Sequence, residues 1–224
     1  MPRTNRNAII AGASGLTGAA LLNQLAGSES YKNIYTLDRR IIGKIGNNHH
    51  SMVVDFANLG GLPDCDDAYC CLGTTIKTAG SKAAFRTVDF DYVVNFARAS
   101  LAAGARQFLV VSALGANSNS RVFYSRTKGE MEKTIGSLGF DAVHIFQPSF
   151  LVGNRQHVRP SEQIGIGLFK AISPLLIGAA RKYRVIAVEH VAWAMHTVAI
   201  DNEKREIKGV RHYPSDEIAE LARH

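Results

Sequence analysis

Short apolar runs alternate with longer stretches of helical period along most of this chain. Asn7–Ala11, Ile34–Leu37, Met52–Val54, Ala68–Cys71, Phe108–Ser112 and Ala142–Phe146 are brief and nearly continuous in apolar residues. Runs of that kind predict parallel strands covered by helices on both faces. Leu16–Ala26 reads as a helix. About Ser81–Ala103 reads as a long one, with Phe85, Val88, Tyr92, Phe96 and Ala99 three or four residues apart on one face and Gly104 as its stop. A further helix covers about Phe123–Leu138, ending near Gly139. After Pro148 the pattern loosens. Glycines and prolines punctuate 153–178, and helices are predicted at about Val191–Ile200 and Ser215–Ala222.

The β-α alternation predicts an α/β fold, a doubly wound parallel sheet with right-handed crossovers. The 224 residues suit one domain with a sizeable core. Within it, 1–150 would form the cofactor-binding core, and 151–224 a smaller substrate-side portion lying over the carboxyl edge of the sheet. Hydrophobic residues at 46% and charged residues at 20% are ordinary for a soluble protein. The first apolar segment is too short for a signal peptide, and no run is long enough to span a bilayer. The expectation is therefore a cytoplasmic protein with no membrane partner.

Three cysteines, Cys65, Cys70 and Cys71, fall within seven positions. They suggest small buried side chains rather than a disulfide framework, and no zinc-type spacing accompanies them, so no metal is expected. The net charge of +7 and pI of about 9.5 would permit anionic partners. The basic residues are scattered, however, and no nucleic-acid motif accompanies them, so no nucleic-acid partner is expected. Only Arg39-Arg40 and Arg155/Arg159 sit where a nucleotide would lie. A monomer or homodimer is expected.

Candidate chemistry begins directly after the first strand, where Gly12-Ala13-Ser14-Gly15-Leu16-Thr17-Gly18 has a GxxGxxG spacing. The first glycine allows a tight turn, the second lets amides approach a pyrophosphate, and the third lets the helix pack close to the strand. The helix that starts there aims its dipole at an anion. Ser14 and Thr17 add donors. At the end of the second strand Asp38 precedes Arg39 and Arg40. The carboxylate suits an adenosine ribose and hence NAD, whereas the arginines suit a 2′-phosphate and hence NADP. Asp55-Phe56, after the third strand, could meet the adenine or serve as a strand-end cap with a core aromatic.

Ser112 stands at the end of the fifth predicted strand, and Tyr124 and Lys128 follow four residues apart on a helix. That spacing puts phenol and ammonium on one face. The ammonium is expected to lower the phenol's pKa, making Tyr124 an acid/base for a carbonyl or alcohol. Ser112 would hold the same oxygen. No GxSxG elbow is present, which excludes that hydrolase arrangement.

These blocks resemble the short-chain dehydrogenase/reductase superfamily. More narrowly, they resemble the atypical members grouped with the human Tat-interacting oxidoreductase protein. The resemblance runs through GASGLTG, Cys70-Cys71-Leu72-Gly73-Thr74-Thr75, Val88-Asp89-Phe90-Asp91-Tyr92-Val93, Tyr124…Lys128-Gly129-Glu130 and Asn154-Arg155-Gln156…Arg159-Pro160. It implies a Rossmann domain that binds NADP(H), with Tyr124 as acid/base. It implies Ser14, Gly15, Leu16 and Thr17 along the pyrophosphate, and Arg39 and Arg40 on the 2′-phosphate. It further implies Leu72 and Gly73 beside the ribose, and Leu151 and Arg159 closing over the cofactor. The chain departs in two places: Asp38 replaces a residue usually small in the NADP-using relatives, and Val88-Asp89 stands where many members carry an asparagine of the catalytic relay.

The leading expectation is an NADP(H)-dependent oxidoreductase, with NAD as the alternative cofactor and a small carbonyl or alcohol as substrate. A cofactor-sensing regulatory protein and a sugar-nucleotide epimerase or dehydratase share the same fold. The apolar residues Phe150, Ile164, Leu168 and Phe169 are expected either to wall a cavity beside Tyr124 or to pack into the core.

Overall fold

A computed structural model describes residues 6–153, 178–205 and 208–223. Its strands are β1 (Arg6–Ala11), β2 (Tyr31–Asp38), β3 (His49–Val53), β4 (Asp67–Cys70), β5 (Gln107–Val111), β6 (Ala142–Gln147), β7 (Leu151–Val152), β8 (Ile186–Ala187) and β9 (Gly209–Pro214). Seven of them form one sheet in the order β3-β2-β1-β4-β5-β6-β9. Every pairing in it is parallel. The order reverses between β1 and β4, which opens a crevice at the carboxyl ends of those strands. β7 and β8 form a separate parallel pair.

The strands alternate their side chains between two cores. Ala8 and Ile10 of β1 join Leu109, Phe146, Leu21, Leu25, Val191 and Met195. Ile9 and Ala11 join Cys70, Phe108, Val110, Val93, Phe96 and Ile135. The first core is covered by α1 (Leu16–Ala26) and α6 (Val188–Arg205), the second by α4 (Tyr92–Ala102) and α5 (Phe123–Gly136). Helices on both faces make this the doubly wound α/β architecture that the apolar runs predicted.

Several elements differ from expectation. The predicted helix over Ser81–Ala103 runs as α3 (Lys82–Arg86), a π-helical turn (Thr87–Asp91) and α4. A four-residue helix, α2 (Ile76–Ala79), precedes it. β9 was not legible in the pattern, because its first four residues are exposed on an edge strand and carry no apolar run. The C-terminal portion does more than cover the sheet: Ile186, Val191, Met195, Val198, Tyr213 and Ile218 complete the first core. α7 (Ser215–Leu221) ends the described fold. Ile164, Leu168 and Phe169 of the expected cavity wall lie outside the described residues, and Phe150 is exposed. No helix among the described residues is long and apolar enough to cross a membrane.

A polar cluster is buried at the amino edge of the sheet. Asp67 pairs with Arg6 and accepts hydrogen bonds from Tyr31 Oη (2.6 Å) and Gln107 Nε2 (2.7 Å). Gln107 also donates to Ala199 O and accepts from Asn202 Nδ2 (3.1 Å). The starts of β1, β2, β4 and β5 are thereby tied to α6.

Buried titratable groups set the pH range of this fold. Burial pushes the Cys65 and Cys70 thiols up to about 12 and raises the Tyr31 and Tyr69 phenols well above their usual range. Burial also pushes His144 down to about 4 and lowers His196. Above the ordinary thiol and phenol values of 9.0 and 10.0 the unfolded chain releases protons that the fold retains. Below 6.5 the unfolded chain takes up protons that the buried imidazoles refuse. Both differences lower stability by linkage. Urea unfolding across pH should therefore show greatest stability between about 6.5 and 9, falling on both sides. A stability that rises steadily from pH 9 to 11 would contradict this account.

Candidate functional site

The glycine loop joins β1 to α1 with little room to spare. Gly12 has φ +84°, and a Cβ on it would stand 2.9 Å from the Cys71 carbonyl group. A Cβ on Gly18 would stand 2.1 Å from Gly12 O, so only glycine lets α1 approach its strand this closely. Gly15 is exposed and forms the N-cap of α1 with no side-chain cap and no acidic residue in the first turn. Ser14 is exposed, Leu16 half-buried and Thr17 buried. The first-turn amides of α1 thus lack a side-chain acceptor, an arrangement suited to an anion.

Asp38, at the end of β2, turns its buried carboxylate toward this loop. Oδ1 accepts the Ser14 N–H at 3.0 Å, while Oδ2 is buried without a hydrogen-bond partner. Such an oxygen is costly unless a donor reaches it. Arg39 and Arg40 follow in exposed positions. Asp55 instead closes a local turn, accepting from Ala57 N (2.9 Å) and Asn58 Nδ2 (3.3 Å). Phe56 is buried and stacks on Tyr92 with ring centroids 5.9 Å apart. This is the strand-end cap and core aromatic that the sequence left open as one of two roles.

From Gly12 the same surface continues into the segment after β4. Leu72 is half-buried and Gly73 exposed, and a Cβ on Gly73 would come within 3.5 Å of Asp89 Oδ1 and 4.0 Å of Lys128 Nζ. Lys128 and Asp89 are both almost wholly buried, and Nζ lies 2.7 Å from Oδ1. Asp89 Oδ2 accepts the Thr74 N–H at 2.9 Å. Tyr124 is half-buried one turn before Lys128, its ring 5.4 Å from that of Phe85. Among the described residues its hydroxyl takes no hydrogen-bond partner.

The electrostatics depart from expectation. Lys128 pulls the Tyr124 phenol down, but burial and the Asp89 carboxylate outweigh it, and the phenol is raised above its ordinary value. Lys128 is desolvated, yet Asp89 and the phenol raise its pKa overall, so it stays charged. The expected activation toward phenolate is corrected accordingly: burial outweighs the pull of the ammonium, and the Asp89 carboxylate offsets part of that pull.

Ser112 is placed differently from the other two expected catalytic residues. It is buried just beyond β5, and its hydroxyl donates to Glu132 Oε1. Glu132 also accepts from Gln147 Nε2 at 3.0 Å and lies 3.4 Å from His212 Nε2. A hydroxyl has one hydrogen to donate, and here Glu132 takes it. Leu151 is exposed on β7, and the neighbouring Gly153 lies close enough to α1 that an added Cβ would be 3.6 Å from Leu16 Cδ1. Arg155 and Arg159 lie outside the described residues.

Sequence reasoning assigned no ion-pair role to Asp89 and missed Glu132. Both carried a signal. Asp89 falls among Phe85, Val88, Tyr92 and Phe96 on the apolar face, and Glu132 follows Lys128 by one turn on the buried face of α5. A charge on a buried helix face needs a partner.

No protein-family model matches the chain. HTATIP2 of Rattus norvegicus is 34% identical over 175 residues, covering 75% of this chain and 72% of that protein. A protein of Eremothecium gossypii named FMP52, mitochondrial, is 30% identical over 207 residues, covering 90% and 92%. This chain belongs to their family. It is an atypical short-chain dehydrogenase/reductase with a Rossmann fold. Among solved structures, the human epimerase family protein SDR39U1 with NADPH superposes with a TM-score of 0.61 at 17% identity, covering 92% of this chain and 73% of that one. The enzyme WbmH of Bordetella bronchiseptica with NAD+ gives 0.66 at 14%, covering 98% and 80%. These two establish the fold. The expectation of a cytoplasmic location is overturned, because FMP52 relatives from several fungi are named mitochondrial.

The Ser112–Glu132 contact makes a direct prediction. Ser112→Ala should lower stability by about 1–3 kcal/mol in urea unfolding, the worth of a hydrogen bond to a charged partner. An unchanged unfolding midpoint would mean that the hydroxyl contributes nothing there and is free for a ligand.

Proposed function

We propose that this chain is a nicotinamide-dependent oxidoreductase acting on a small carbonyl or alcohol, with Tyr124 as the proton donor. The observation that carries the reading is the unpartnered Tyr124 hydroxyl. It sits one helical turn from Lys128, on a surface continuous with the glycine loop through Leu72 and Gly73.

The residues present fit a dinucleotide. The uncapped first turn of α1, with Ser14, Gly15, Leu16 and Thr17, would hold the pyrophosphate, and the partnerless Asp38 Oδ2 fits a ribose hydroxyl. Arg39 and Arg40 suit a 2′-phosphate. Gly73 and Lys128 would border the nicotinamide ribose, with Leu151 over the far side. When bound, a reduced nicotinamide would supply the hydride, two electrons with one proton, that the carbonyl carbon takes up, itself becoming oxidised. Tyr124 gives its proton to the carbonyl oxygen, and solvent returns a proton to the phenolate. Lys128 holds positive charge beside that oxygen throughout.

One observation favours a second reading, a cofactor-binding sensor without turnover. The Ser112 hydrogen is committed to Glu132, so the serine that would steady a substrate oxygen is engaged elsewhere. A sensor needs the dinucleotide cleft and not that serine.

Calorimetric titration tests the cofactor. NADPH should bind more tightly than NADH, and Arg39→Ala should remove most of the difference. Equal affinities, or preference for NADH, would assign the choice to Asp38. Turnover tests the chemistry. With a carbonyl substrate, Tyr124→Phe should slow reduction by about a hundredfold or more, the usual worth of a positioned acid. Near-normal turnover in that variant, with cofactor binding intact, would favour the sensor.

A further inference from the structure

We propose that Asp89 is a positioning residue which, acting through Lys128, keeps the proton on Tyr124 and so specialises the site for carbonyl reduction over alcohol oxidation. The proposal rests on the oxidoreductase reading and adds a direction to it.

The argument is a charge balance inside a buried site. Asp89 lies in the π-helical turn between α3 and α4, and its two oxygens are both engaged. One lies against the Lys128 ammonium at 2.7 Å, and the other takes the Thr74 amide at 2.9 Å. A carboxylate held by an ammonium and a backbone N–H is fixed in both place and charge. The ammonium and the carboxylate sum to zero, and the neutral phenol leaves the site uncharged. Ionising Tyr124 would leave a net negative charge out of water, which the surroundings oppose. Were residue 89 an amide, the ammonium would stand alone, and a phenolate would be the group that neutralises it.

The other groups that face this pair do not upset the balance. Cys70, from β4, is a thiol pushed up to about 12 by burial and is neutral at physiological pH. Phe85 brings an aromatic ring from α3. Arg86 and Arg126 lie at Glu130 on the outer side of α5, 2.5 Å and 4.0 Å from its oxygens. The raised phenol and the raised ammonium agree with the geometry. The balance carries over to a complex with reduced nicotinamide, whose ring is uncharged. A protonated Tyr124 is ready to donate to a carbonyl oxygen, whereas alcohol oxidation needs a base.

The ionisation of Tyr124 can be read without any substrate or cofactor. Protein carrying 13C at tyrosine Cζ is titrated by NMR, and Tyr124→Phe assigns the resonance among the seven tyrosines. In the unmodified chain the phenol form should persist past pH 10.0, its ordinary midpoint. In Asp89→Asn the midpoint should fall by about one unit or more, a tenfold gain in phenolate at fixed pH. A purely structural Asp89 would lower stability without moving that midpoint downward, and this outcome overturns the proposal. If Asp89→Asn does not fold, Asp89→Ser is titrated in its place with the same two outcomes, and a Tyr124 that ionises near neutral pH in the unmodified chain overturns the proposal. A chain that shows the expected titrations yet never turns over a carbonyl sinks the oxidoreductase reading and leaves the charge balance standing.

Discussion

The buried pair Lys128–Asp89 is the contact on which the geometry of the site depends. Withdrawing two charges from water costs several kcal/mol per ion, and mutual attraction seldom returns more than that. The pair is therefore a poor source of net stability. What it supplies is position: it binds α5 to the π-helical turn, and through the Thr74 amide it binds both to the segment leaving β4. The π-helical turn inserts extra backbone into an otherwise continuous helix, and such insertions mark functional places more often than helix interiors do. Without it, the side chain at position 89 would be displaced around the helix face relative to Lys128.

The second constraint is steric. The loop between β1 and α1 passes so near the segment after β4 that Gly12 cannot carry a side chain, and α1 sits so near its strand that Gly18 cannot either. These two approaches hold the uncapped end of α1 beside the crevice where the strand order reverses. At the opposite edge the Asp67 cluster ties the starts of four strands to α6. The sheet thus has an apolar middle and a polar layer at each end. The amino-end layer is tied together by Tyr31, Gln107 and Asn202. The carboxyl-end layer holds a phenol without a hydrogen-bond partner and a partnerless carboxylate oxygen beside the glycine loop.

Much of this was legible in the amino-acid sequence, for identifiable reasons. Five of the seven main strands, β1, β2, β4, β5 and β6, carry apolar runs because they lie inside the sheet between two cores, and α1 matches its expected bounds because glycines flank it. β9 escaped because an exposed edge strand needs no apolar run. β2 begins three residues earlier than its apolar run, since its first pairs pass through a register shift at the exposed Lys32 and the polar Asn33, which carry no apolar signal. At the site, the Tyr124–Lys128 spacing and the glycine loop were readable as local patterns. The direction of the Ser112 hydroxyl was not, because it is set by Glu132 on a different element twenty residues away. Nor was the sign of the Tyr124 shift, which depends first on how deeply the fold buries the ring and then on a carboxylate brought from another helix.

The two departures at the site belong together physically. A serine beside the substrate oxygen and an activated phenolate both help an enzyme that must run in either direction, since each stabilises charge as it forms or collapses. In this chain the serine hydrogen goes to Glu132 and the ammonium is balanced by Asp89. What remains is a neutral phenol with a free hydroxyl next to a fixed cation. Such a group rests in the protonation state that reduction uses, whereas oxidation of an alcohol needs the phenolate. The phenol can give its proton, and the ammonium beside it then steadies the phenolate left behind. The fold is shared with an epimerase family protein at 17% identity and with the enzyme WbmH at 14%, so the sheet does not set the direction of the chemistry. In the proposed reaction that setting would fall to the charge at position 89.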